Sequence, residues 1–198
     1  GAYQFLWNDP SAQTNASATN LLSGTYIVTI TDDNNCQDTA SVTITEPVTL
    51  TASIALDSNA SCNGVADGGA TASGIGGTIT GSYVFLWDDP SAQTNASATG
   101  LAAGTYTVTI TDDNGCQDTE SIAITEPTTL AASVALDSNA ACNGIANGGA
   151  TASATGGTIT GAYQFLWDDP SAQTNASATG LAAGTYTVTI TDDNGCQD

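Results

Sequence analysis

Apolar and polar residues alternate with a period of two along most of the chain, and the 3.6-residue period of a helix is nearly absent. Thr105-Tyr-Thr-Val-Thr-Ile-Thr111 places Tyr106, Val108 and Ile110 on one face and four threonines on the other, as in a half-buried antiparallel strand. Tyr83, Phe85 and Trp87 alternate with Val84 and Leu86. Other copies of that segment carry Gln4 and Gln164 at the Val84 position, so the aromatic face is the expected core face. The expected core is therefore Tyr83, Phe85, Trp87, Tyr106, Val108 and Ile110. Further strands are predicted at Leu50-Thr-Ala-Ser-Ile-Ala-Leu56, Gly68-Gly-Ala-Thr-Ala-Ser-Gly74, Thr94-Asn-Ala-Ser-Ala-Thr99 and Ser121-Ile-Ala-Ile124. Asn114-Gly115, between two alternating runs, predicts a type I′ hairpin.

The pattern recurs every 80 residues. Gly1-Ala-Tyr-Gln-Phe-Leu-Trp7 returns at 81–87 and at 161–167. Cys36, Cys116 and Cys196 form one series, Cys62 and Cys142 another. A fixed period implies an array, and 80 residues suffice for a small domain with its own core. Glu46-Pro47 and Glu126-Pro127 fall where the chain leaves a sheet, which puts boundaries near Thr49 and Thr129. Residues 1–49 are then the C-terminal part of one repeat, 50–129 a complete repeat, and 130–198 a repeat lacking its last strand. Leu101-Ala-Ala-Gly-Thr-Tyr106 matches the tyrosine corner of immunoglobulin-like sandwiches. The expected fold class is all-β: tandem Ig-like β-sandwich domains in an extended array.

Composition narrows the chemistry. The chain has no Lys, Arg or His and a net charge of -20. It has no surface to neutralise phosphate, which excludes nucleic acid and argues against anionic membranes as partners. Catalysis by His or Lys is excluded, and no enzymatic site is expected. No apolar run approaches the ~20 residues of a membrane span. The cysteines lack zinc spacing and fit disulfides in an extracellular, cell-surface setting. The acidic balance favours calcium among small partners, with Asp112, Asp113 and Asp118 around the hairpin as the candidate ligands and no other cofactor expected.

Strand parity governs the cysteine pairing. Cys62 follows the first strand of the complete repeat, and Cys116 lies in the last hairpin. If residues 88–104 hold one strand, both fall at the same end, and Cys62–Cys116 and Cys142–Cys196 form within repeats, with Cys36 paired outside the fragment. If they hold two, Cys62 faces Cys196 of the following repeat. The segment is short for two strands, which favours the bond within a repeat.

Together these residues resemble the SprB repeat of Bacteroidota surface proteins. The matching elements are Tyr83-x-Phe85-x-Trp87, Leu101-x-x-Gly104-Thr-Tyr106-Thr-Val108, Asp112-x-Asn114-Gly115-Cys116, Cys62-Asn-Gly64, Gly76-Gly77 and Ile124-Thr-Glu-Pro127. The resemblance covers essentially the whole chain and departs from the family at Gly81-Ser82 and Asp88-Asp89-Pro90. It implies a segment of a large secreted cell-surface adhesin or filament, of the kind associated with gliding motility. It also makes Asp38-Thr39-Ala40 a candidate O-glycosylation motif at Thr39. Two functions follow as expectations. One is a structural or adhesive stalk whose partners are neighbouring repeats or like chains in a fibre. The other is a calcium-dependent module that binds surface polysaccharide.

Overall fold

The structure, a computed structural model, describes residues 2–198. It is all-β, with no helix among the described residues. The chain divides into two compact units, Gly1–Thr49 with Gly76–Thr78, and Leu50–Ile75 with Ile79–Asp198. The first carries strands β1 (Gln4–Trp7), β2 (Gly24–Thr31) and β3 (Gln37–Ile44) in one antiparallel sheet. The second carries β4 (Thr51–Ser58), β5 (Gly68–Ile75), β6 (Val84–Trp87), β7 (Ser97–Leu101), β8 (Gly104–Thr111) and β9 (Gln117–Ile124). It continues through β10 (Ala131–Ser138), β11 (Gly148–Thr155), β12 (Gln164–Trp167), β13 (Ser177–Leu181) and β14 (Val188–Thr191).

In the copy at 50–129, the sheets run β4-β5-β7 and β6-β8-β9, with every pair antiparallel. The core between them joins large side chains to small ones. Trp87, Val108, Ile110 and Ile124 come from one sheet and Ala52, Ala70, Ala72 and Ala98 from the other. Tyr83, Phe85 and Tyr106 are half-buried against this cluster. A Cβ added at Gly68 would stand 2.6 Å from Ile124 Cγ2, so only a bare backbone fits there. The Tyr106 hydroxyl donates to the Ala102 carbonyl at 3.1 Å, closing the corner that opens β8. Tyr26 and Tyr186 repeat that bond to Leu22 and Ala182.

The hairpin differs from the expected type I′ turn. Only Gly115 of its residues has positive φ, +82°, whereas type I′ needs two such residues. The Gly115 amide donates to the Asp112 carbonyl at 3.0 Å, and the Asp112 amide donates to the Cys116 carbonyl at 3.0 Å. The Asp112 side chain takes the amides of Asn114 and Cys116, at 2.9 and 2.8 Å. The side chain thus fixes the turn, and one left-handed residue completes it. Asn35 fills that place in the first copy, at φ 64°.

Residues 88–96 decide which end of the sandwich each loop reaches. The Asp88 amide still pairs with the Thr107 carbonyl at 3.0 Å, extending β6 by one step. The chain then reverses at Asp89, and the Trp87 amide donates to the Gln93 carbonyl at 2.9 Å. The Trp87 indole donates to the Asn95 carbonyl at 3.0 Å, and the Ala72 amide to the Ala96 carbonyl at 2.9 Å. The segment therefore runs back along the body of the sandwich as an irregular strand. β7 then runs in the same sense as β6. Residues 88–104 thus hold one regular strand but make the reversals of two.

Among the described residues, β14 (Val188–Thr191) is the last strand of the third copy. The groove beside Val134, Leu136, Trp167, Leu181 and Tyr186 is open there. Leu136 is 68 % exposed against 46 % for its counterpart Leu56, which has β9 alongside β4. In the first copy, residues 17–21 form no strand.

Trp87→Ala is expected to destabilise the 50–129 repeat by ~3–5 kcal/mol, since it empties the centre of the core. Leu86→Ala, on the outer face, should change stability by less than ~1 kcal/mol. Thermal unfolding of the two variants tests this; equal shifts would contradict the assignment of faces.

Candidate functional site: the junction between successive repeats

The most elaborate polar arrangement in the second unit lies where the loop after β4 meets the hairpin after β14. The loop, residues 59–67, is tied to the chain that leaves β9. The Ala60 amide donates to the Thr125 carbonyl at 3.0 Å, and the Thr125 amide to Asn59 Oδ1 at 2.9 Å. Glu126 clamps the turn itself, accepting from Asn63 Nδ2 at 2.9 Å and from the Gly64 amide at 2.7 Å. Thr129 Oγ1 donates to Asn63 Oδ1 at 2.9 Å. Asp67 accepts from both the hydroxyl and the amide of Ser61. These bonds, the hydroxyl's foremost, hold its carboxyl below the usual aspartate range.

The opposing hairpin is organised by Asp192, which is buried. Its carboxylate takes the amides of Thr158, Cys196 and Asn194 at 2.7, 2.9 and 3.0 Å. Those bonds, Thr158's first, keep its carboxyl low against the opposing effects of burial and of Asp193. Asn194 Nδ2 donates to the Ser61 carbonyl at 2.9 Å and to Thr158 Oγ1 at 3.1 Å. Beside it Cys62 and Cys196 form a disulfide with Cα atoms 5.7 Å apart, spanning 134 residues of sequence.

This overturns the expected Cys62–Cys116 and Cys142–Cys196 bonds. The reversal at residues 88–96 is the reason. β4 and β9 run side by side in the same sense: Asp118 near the start of β9 accepts from the Ala52 amide, and Thr125 beyond its end meets Ala60. Cys116 precedes β9 and Cys62 follows β4, so an eight-residue strand, roughly 26 Å, separates them. A disulfide needs Cα atoms ~5.5–6 Å apart. Cys36, Cys116 and Cys142 are exposed free thiols.

The three carboxylates expected to share calcium are also separated. Asp112 faces its own hairpin amides, Asp113 takes the hydroxyl of Thr80 at 2.7 Å, and Asp118 caps the edge of β4 at 2.8 Å. Among the described residues no three acidic, Cys or His side chains gather as metal ligands. Each carboxylate is already occupied with backbone or hydroxyl donors. Thr39 lies exposed on β3, as its counterpart Thr119 does on β9. No helix is long and apolar enough to cross a membrane.

Sequence reasoning missed the pair Asp89 and Gln93. Asp89 is buried and accepts from the amides of Ser91 and Gln93, at 3.0 and 2.9 Å, and from Gln93 Nε2 at 3.1 Å. Gln93 in turn accepts from the Thr99 amide at 3.1 Å and donates to the Thr99 carbonyl at 3.0 Å, as a neighbouring strand would. Burial acts to raise the Asp89 pKa, but the bonds from Gln93 and Ser91 outweigh it and the carboxyl sits low. Asp9 and Asp169 are lowered the same way in their copies, foremost by the Gln13 and Gln173 amides. The readable signal was Asp-Pro-Ser-Ala-Gln, identical in all three repeats.

No family model and no curated protein matches the chain. Among solved structures, a tetra-tandem repeat in the extending region of a large adhesion protein aligns over 98 % of this chain, at 15 % identity and TM-score 0.32. The chain spans 64 % of that structure's length. An amphioxus IgVJ-C2 molecule aligns over 62 % of this chain and 88 % of its own, at 15 % identity and TM-score 0.30. Sidekick-1 immunoglobulin domains 1–5 align over 98 % and 50 %, at 11 % identity and TM-score 0.31.

Asp89→Asn should lower the melting temperature at neutral pH. A carboxyl whose folded pKa is depressed contributes stability that is full above its unfolded value, near 3.8, and lost as pH falls through the folded value. The gap between wild type and variant should therefore close as pH drops below about 4. Melting curves measured from pH 7 to pH 2 test this; a gap that widens in acid would contradict it.

Proposed function

We propose that this chain is a non-enzymatic segment of an extracellular stalk or filament, of SprB-repeat type, belonging to a large cell-surface adhesin. The observation that carries the reading is the junction itself. Two successive repeats are joined by the peptide linker and also by Cys62–Cys196, with Asn194 and Ser61 adding a directional hydrogen bond. A covalent second link between repeats serves load-bearing better than it serves recognition. A disulfide also fits an oxidising compartment outside the cell. The anionic surface, with no cation to pair it, keeps such chains apart at neutral pH.

The calcium-dependent polysaccharide module gains nothing from the geometry. Trp87 is buried, and Asp112, Asp113 and Asp118 face separate internal donors.

Single-molecule stretching of the full chain by its termini tests the stalk reading. With the disulfide intact, the 134-residue loop is shielded from force. Reduction should lengthen the fully extended chain by roughly 450 Å, at ~3.3–3.6 Å per residue. An unchanged contour length, or saccharide binding that survives unfolding of the junction, would count against a load-bearing role.

A further inference from the structure

Resting on the stalk reading, we propose that stalks pack side by side through the outer face of the β6-β8-β9 sheet. The partner is the same face on a second copy of this chain. Val84 and Leu86 of β6, the four threonines of β8 and the alternate residues of β9 from Gln117 to Ala123 make up the face.

Charge selects it. The chain carries 20 carboxylates and no cation. Two copies meeting through a carboxylate-bearing surface would set like charges together with nothing to pair them. A second copy can therefore approach only through a surface without carboxylates. None of the residues on this face is charged. Asp88, one residue past β6, bounds it and accepts from the Thr107 amide at 2.7 Å. The outer face of the opposite sheet does carry a carboxylate. There Asp57 accepts from Thr71 Oγ1 at 2.7 Å, and Asp137 repeats the bond with Thr151 at 2.8 Å.

The face also has apolar area to bury. Val84 is 62 % exposed and Leu86 49 %, and Leu6 and Leu166 stand exposed in the Leu86 place of the other copies. Some of the polar groups beside them are already paired. The hydroxyls of Thr107 and Ser121 lie 3.0 Å apart, and Gln117 Nε2 donates to Thr111 Oγ1 at 3.1 Å. Gln37 and Gln197 make the same bond to Thr31 and Thr191. A hydroxyl that keeps a partner costs less to dehydrate than one left alone. The face recurs without a carboxylate on β1-β2-β3 and on β12-β14.

Size sets the strength. Eight residues along β8 and three strands across give roughly 26 Å by 14 Å, or about 360 Å². A stable pair buries ~800 Å² per partner, which two such faces approach. One repeat thus associates weakly, and an array gains by repetition. Like meets like, so the contact is isologous and closes at two copies. In dilute salt the net charge of -20 holds copies apart. At 1 M salt the screening length falls to ~3 Å, and the neutral faces can meet.

Sedimentation velocity of the full chain at pH 7, with any free thiol alkylated, tests the proposal. In 1 M NaCl the wild type should move from the 19.6 kDa of one chain toward twice that mass, and return in dilute salt. Thr109→Asp with Thr189→Asp should stay single in 1 M NaCl, because pairing would bury carboxylates without partners. Leu86→Asp with Leu166→Asp makes the same test from β6 and β12, should the first variant fail to fold by circular dichroism. Ser73→Asp with Ser153→Asp, exposed on the opposite outer face, should pair as the wild type does. Three results overturn the proposal: a wild type that stays single in 1 M NaCl, pairing that persists in a folded Thr109 and Thr189 or Leu86 and Leu166 variant, or pairing lost equally in the Ser73 and Ser153 variant. The stalk reading stands or falls separately, on the stretching of the single chain.

Discussion

A buried aspartate fixes which end of the sandwich each loop reaches. Asp89 gathers two amides and the Gln93 side chain, and Gln93 pairs with Thr99 as a strand would. The chain reverses there and returns along the body of the sandwich before β7 begins. Without that reversal β8 would run the other way, and the Cys116 hairpin would share an end with Cys62. With it, the repeats at 50–129 and 130–198 each present a loop cysteine at one end and a hairpin cysteine at the other. The joint between repeats follows from the fold within a repeat.

The reversal is held tightly for its length. It satisfies both the amide and the indole of Trp87, the largest buried side chain of the repeat. Core and crossing therefore stabilise each other. Ala92 sits at φ 47°, as Ala12 and Ala172 do in their copies, a conformation that costs an L-residue roughly 1–2 kcal/mol. Surrounding bonds offset that strain. No described buried side-chain nitrogen or oxygen lacks a hydrogen-bond partner, although the repeats bury several aspartates. A chain without Lys or Arg neutralises none of these carboxylates by ion pairing. Amides carry out that role, at Asp89, Asp112 and Asp192 alike.

Much of the fold was legible because alternation is a local signal. Trp87, Val108 and Ile110 are buried and Val84 and Leu86 exposed, as the two-residue period required. Tyr106 closes its corner. The disulfide was not legible, because parity counts reversals and a reversal without a regular strand leaves no alternation to read. Asp88-Asp89-Pro90 carries no alternation, yet Asp88 pairs with β8 and Asp89 turns the chain. The placing of Asp112, Asp113 and Asp118 was not legible for a related reason: a row of aspartates gives charge, but not the direction in which each carboxylate points. The turn type failed because Asn114-Gly115 suits several hairpins, and the Asp112 side chain selects among them.

The claim that the crossing at Asp89 sends the two cysteines to opposite ends is open to one direct measurement. The chain has no Lys or Arg, so cleavage after glutamate is the suitable digest, and Glu46, Glu120 and Glu126 are its only glutamates. Glu46 and Glu126 precede prolines and resist cleavage, so the cut falls after Glu120; Cys36, Cys62 and Cys116 then lie together in residues 1–120, and Cys142 and Cys196 in residues 121–198. Mass spectrometry of the unreduced digest should find these two fragments joined by a single disulfide that separates on reduction. Two unlinked fragments, each closed by its own internal bond, would contradict the account.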